Sequence, residues 1–146
     1  MSPAAIDMAF IHPPASFRKR ERPFAGVFPA ETGTDSWFRH APLGLSVMAQ
    51  RLRAAGYEAR ILNLAKACSS ATAAGRPLSD AAIEARLRAL PARAYGISLH
   101  WAVHAPGALD LVALLRRIHP DAAIVLGGLT ASYFAEEALE LAPDLD

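Results

Sequence analysis

Ala122-Ala123-Ile124-Val125-Leu126-Gly127-Gly128-Leu129-Thr130-Ala131-Ser132 is the stretch whose reading decides the fold. An unbroken apolar run ends in two glycines, and a helical pattern with Phe134, Leu139 and Leu141 follows. A short continuous apolar run is the mark of a strand buried on both faces, as in a parallel sheet. Glycines at a strand-to-helix turn leave the backbone bare and expose N–H groups where a helix begins. That suits a phosphate or another close-packed ligand, and it equally suits a plain tight turn.

Working outward, the same alternation recurs. Residues 6–11 form a first strand, stopped by His12-Pro13-Pro14 because proline cannot donate to a ladder. A first helix opens at Pro42, carries Leu43, Val47, Met48 and Leu52 at helical spacing, and closes at Gly56. Residues 57–62 form a second strand. Residues 64–78, with Gly75 and Pro77, read as a loop. Ser79 caps a helix bearing Ile83, Leu87 and Leu90, which Pro91 ends. Residues 94–99 form a third strand. A helix from near Pro106 then carries Leu111, Leu114, Leu115 and Ile118 up to His119-Pro120. Strands alternating with helices predict an α/β fold, a doubly wound parallel sheet of four strands. The chain stops where a fifth strand is expected to begin, so it reads as one domain over residues 1–146, truncated, within a longer protein.

The long stretch over residues 15–41 is rich in proline, glycine and charge. Phe17, Phe24, Phe28, Trp37 and Phe38 argue for burial there. Its basic cluster, Arg18, Lys19, Arg20 and Arg22, is broken by Glu21 and reads as a solvated loop.

Composition narrows the function. Of 146 residues, 53% are hydrophobic and 20% charged, which suits a packed domain rather than a disordered one. A net charge of +1 gives no electrostatic case for nucleic acid. The single cysteine, Cys68, excludes an internal disulfide framework and reads as a small apolar side chain. Neither a signal peptide nor a membrane-spanning run is found, so a cytoplasmic protein is expected.

In an open parallel sheet, ligands bind beyond the carboxyl ends of the strands, near the point where strand order reverses. His12, Asn63, Ser98-Leu99-His100-Trp101 and Gly127-Gly128 all fall there. Ser98 can make hydrogen bonds and Trp101 can stack on a flat ligand. His12 alone suits a cap, a ligand contact or a metal ligand. His40, at the entry to the first helix, can reach the same crevice. His100 and His104 have no carboxylate or thiolate beside them, which favours hydrogen bonding over zinc. No GxGxxG, Walker A loop or GxSxG is present, and Asp7 stands alone in its strand, so no catalytic residue is assigned.

Five blocks together carry a resemblance. They are Ile11-His12-Pro13-Pro14; Ala41-Pro42-Leu43-Gly44-Leu45; Leu62-Asn63-Leu64-Ala65; Gly96-Ile97-Ser98-Leu99-His100-Trp101 with His104; and residues 126–134, which begin Leu126-Gly127-Gly128. The whole chain resembles the N-terminal cobalamin-binding domain of radical S-adenosylmethionine (radical SAM) enzymes. The resemblance implies a flavodoxin-like (Rossmann-like) sheet with cobalamin across its C-terminal edge. By that likeness Ser98 bonds the dimethylbenzimidazole tail, with Leu99, His100 and Trp101 beside it. Gly127 and Gly128 leave room for the tail, and Leu129, Thr130, Ala131 and Ser132 line its pocket. His12, Pro13, Pro14, Ala15 and Ser16 approach the corrin. The DxHxxG motif of corrinoid methyltransferases is missing, which is compatible with a cofactor bound tail-out and with no histidine on cobalt. The cysteines of a 4Fe–4S cluster are also missing, so the cluster and S-adenosylmethionine would belong to a radical SAM domain in cis. The full enzyme would then transfer a methyl group or perform another radical modification.

Two other readings compete. One is a degenerate docking module that binds no cofactor. The other is a nucleotide-binding α/β domain. The latter needs an acidic ribose contact after the second strand, where Asn63 and Leu64 stand instead.

Overall fold

The computed structural model describes residues 6–14 and 40–146. Strands β1 (Ile6–His12), β2 (Ala59–Asn63), β3 (Ala92–Ser98) and β4 (Ala123–Gly127) form one sheet in the order β2-β1-β3-β4. Every neighbouring pair is parallel. Helices α1 (Leu43–Ala54), α2 (Leu64–Ala73), α3 (Asp80–Arg88), α4 (Ala105–Ile118), α5 (Leu129–Tyr133) and α6 (Ala135–Leu141) make the connections. This is the expected doubly wound α/β fold. The chain leaves β1 toward β2 on one side and reaches β3 on the other, so the order reverses at the β1/β3 pair.

Parallel pairing fixes which side chains share a face. Ala9, Ile11, Tyr95, Ile97 and Ile124 face the larger core, against Ile83 and Leu87 of α3 and Leu111, Leu114 and Leu115 of α4. Phe10 and Ala59 face the other way, against Leu45 and Ala49 of α1, with Met8 and Ile61 packed beside them.

Several local features follow from single residues. Gly56 takes φ +90 after α1. There its N–H donates to the Arg53 carbonyl and that of Tyr57 to the Leu52 carbonyl, which satisfies the helix end. The Ser79 hydroxyl accepts from the Ala82 N–H at 3.2 Å, the cap expected of it. The Tyr95 hydroxyl donates to the Leu90 carbonyl at 2.7 Å and accepts from the Ala92 N–H at 3.1 Å.

Four sequence expectations are corrected. Residues 64–78 are not all loop: α2 occupies Leu64–Ala73. The Asn63 side chain accepts from the Lys66 N–H and starts the helix, and burial of Leu64 and Ala65 holds it. The buried stripe of α1 is Leu45 and Ala49, while Leu43 is 78% exposed and Val47 and Met48 are half-exposed. Alanine lets the helix lie close to β2, and that selects this stripe over the bulkier one. β4 is buried on one face only, with Val125 47% exposed. The last helix is two short ones, α5 and α6, broken at Phe134 (φ -120, ψ 42), with Leu139 and Leu141 exposed.

Candidate functional site

The crevice at the strand tips is built around β3. Its last residue, Ser98, lies beside Gly127 of β4, while His12 at the tip of β1 pairs with Asn63 of β2. The Leu99 N–H extends the ladder by donating to the Gly127 carbonyl at 2.7 Å.

The Gly-Gly turn is clamped onto that tip. Gly128 has φ 116 and ψ 175, a conformation essentially reserved for glycine. A Cβ built on it would lie 2.9 Å from the backbone nitrogen of His100 and from the Leu99 carbonyl oxygen. Beyond the turn, the Ala131 N–H donates to the Leu99 carbonyl at 3.2 Å, and the Thr130 hydroxyl donates to the His100 carbonyl at 3.0 Å. The Ser132 hydroxyl donates back to the Gly128 carbonyl. Gly127 differs from its neighbour: both are exposed, but a Cβ on Gly127 would meet nothing within 4 Å.

Ser98, Val125 and Gly127 point to the face that α1 covers over β1 and β2, because their register partners alternate with the Ile97 and Ile124 face. Gly96 shares that face and is filled from β1. A Cβ on Gly96 would lie 2.8 Å from the Met8 methyl and 2.9 Å from the Phe10 ring. Going down the face from the strand tips, one meets the Ser98 hydroxyl and open Gly127, then the Phe10 ring over Gly96 and, across on β4, half-exposed Val125. Ser98 is only 5% exposed, and its hydroxyl makes no hydrogen bond to a described residue. A hydroxyl kept available beside an open glycine can receive a flat group carrying a hydrogen-bonding nitrogen.

Imidazoles and an indole gather on the β1 side. The His12 and His104 rings meet edge-on with centroids 4.7 Å apart, and Trp101 lies 6.1 Å from His12 and 4.8 Å from His100. His12 and His104 are buried. Burial, and then the neighbouring His12, push the His104 pKa down to about 3, so its ring is neutral at physiological pH. His100 and Trp101 are half-buried. Among the described residues, no group of His, Cys, Asp or Glu side chains is arranged to hold a metal.

Over residues 33–146 the sequence matches the family described as the B12 binding domain. The chain belongs to that family. No curated protein and no solved structure matches it.

The B12-binding domain accordingly has the parallel α/β sheet expected of it, and its family supports a cobalamin-binding module. Among the described residues, no helix is long and apolar enough to cross a membrane.

The residues singled out from sequence divide into two sets. His100, Trp101, Gly127, Gly128, Leu129 and Ser132 border the crevice with accessible surface. His12, Pro13, Pro14, Ser98, Leu99, Thr130 and Ala131 are buried. Leu99 and Ala131 belong to the larger core, and Thr130 donates inward. Ala15 and Ser16 lie outside the described residues. His40 is exposed at the entry to α1. Asn63 is taken up by the α2 cap. Asp7 sits at the opposite end of the sheet, accepting from the Glu58 N–H and pairing with Arg93 at 3.5 Å. Cys68 packs against the larger core, and burial raises its thiol pKa, which fits an inert side chain. Sequence reasoning left out Phe10 and Val125, which border the open half of the face. Both sit inside ordinary apolar runs, and only strand register places them on the face of Ser98 and Gly127.

Proposed function

We propose that this domain binds cobalamin with its nucleotide tail laid on the open face over the tips of β3 and β4, and presents the corrin to a radical SAM domain of the same protein. One observation carries the tail position: the unbonded Ser98 hydroxyl stands available directly beside Gly127, where a side chain would meet nothing. In this reading Ser98 hydrogen-bonds the benzimidazole of the tail and Gly127 keeps its entry clear. Gly128, Thr130 and the Ala131 N–H hold the β3 tip in place. His100 and Trp101 offer accessible ring surface to the corrin, while His12, Pro13 and Pro14 support them from below. Burial of the His12 ring supports a cofactor without that histidine on cobalt. When bound, cobalamin would supply a cobalt centre able to carry and transfer a methyl group. The chain's own part is to bind and orient it.

Binding is tested by titrating the chain with hydroxocobalamin and following the visible spectrum and co-elution on gel filtration. A one-to-one complex is the expected result. A folded chain that leaves the spectrum unchanged would instead favour the docking module. The radical SAM pairing is tested on the full-length protein, reconstituted anaerobically with iron and sulfide. A 4Fe–4S cluster is expected, and a full-length protein that holds none would contradict the pairing.

A further inference from the structure

We propose that Phe10 is the end wall of the tail slot, and so limits the size of the lower base that the domain accepts. This rests on the cobalamin reading above. Gly96 is the only position on this face of β3 between Ser98 and the start of the strand's buried half where a missing side chain makes room. That room is already taken by the Met8 methyl and the Phe10 ring, whose atoms lie 2.8 and 2.9 Å from where a Cβ would be. Ser98 is two residues farther along β3, a rise of roughly 7 Å. The slot between the strand tip and Phe10 therefore matches the long dimension of a bicyclic aromatic base and leaves no room for a third ring. Phe10 is itself buried against Leu45 and Ala49 of α1, so it cannot swing aside without opening that core. Gly96 thus acts through Phe10: its lack of a Cβ lets the ring reach across from β1 to β3.

The test compares three corrinoids by spectroscopic titration: cobalamin, cobinamide, which lacks the nucleotide tail, and a cobamide whose lower base is the tricyclic naphthimidazole. The wild-type chain should bind cobalamin more tightly than either of the others. Phe10→Ala should move the ratio of the two base-bearing affinities toward naphthimidazole by about tenfold or more. It should leave cobinamide unchanged, because that ligand does not enter the slot. If circular dichroism shows that Phe10→Ala is unfolded, Phe10→Leu is used, which keeps most of the apolar volume and should move the ratio in the same direction. A ratio unchanged in a folded variant, or a wild-type chain indifferent to the third ring, would overturn the role of Phe10 while leaving cobalamin binding in place. A wild-type chain that binds no corrinoid would overturn the cobalamin reading, and this inference with it.

Discussion

Gly128 lies against Leu99 so closely that a methyl group on it would sit 2.9 Å from the Leu99 carbonyl oxygen. This contact joins the β4–α5 turn to the tip of β3 and separates two glycines that look alike in sequence. One is required by the fold. The other borders open space.

Gly128→Ala is expected to destabilise the domain by about 2–4 kcal/mol, combining a backbone conformation that L-residues avoid with a clash against main chain. Gly127→Ala should change stability by less than about 1 kcal/mol. Urea unfolding of both variants checks this. Equal losses would show that the two glycines share one role.

Ser98→Ala should leave stability nearly unchanged, because the hydroxyl bonds to no described residue. It should weaken cobalamin binding by about 5- to 15-fold, the worth of one hydrogen bond. Cobinamide affinity should not move. Parallel titrations with the two corrinoids check it, and an equal loss for both would place Ser98 at the corrin instead of the tail.

His104 gives stability a pH dependence. Its folded pKa, about 3, lies below the unfolded value of about 6.5, so the unfolded chain takes up the proton first. Its contribution is therefore full above pH 6.5 and falls as the pH drops from there toward 3. Between pH 7 and 5 the loss is about 2 kcal/mol. His104→Gln, which does not titrate, should remove that part of the slope. Unfolding curves at the two pH values check it, and an unchanged slope would show that the His104 ring is not held neutral.

Tyr95→Phe should cost about 1–3 kcal/mol, since it strands the Leu90 carbonyl and the Ala92 N–H that its hydroxyl joins. Cobalamin affinity should be unaffected, because Tyr95 faces the larger core. Thermal unfolding and titration of the same sample separate the two effects.

The strands were legible in sequence as short, largely apolar runs alternating with helical patterns, with Pro13 and Gly127 marking the ends of β1 and β4, and all four lie within a few residues of where they were expected. The helix over Leu64–Ala73 was hidden by Gly75 and Pro77, although Asn63 ahead of an alanine-rich stretch was its start signal. The face of α1 was misread because two stripes share helical spacing, and only packing against β2 chooses between them. The site was legible in part. Ser98 and Gly127 stand far apart in sequence, and it is the β3–β4 register that sets them side by side. The motif likeness named both glycines, but backbone conformation alone distinguishes the clamp at Gly128 from the opening at Gly127. Phe10 carried no signal, since its role depends on the missing side chain of Gly96 on the neighbouring strand.

The most direct measurement is a titration of the wild-type and Gly127→Val chains with hydroxocobalamin, with circular dichroism recorded on each. The account predicts a folded variant, because the added side chain points into open space, and an affinity at least about tenfold weaker, because that space is where the tail enters. A folded Gly127→Val chain that binds cobalamin as tightly as the wild type would contradict the placement of the tail over the tips of β3 and β4.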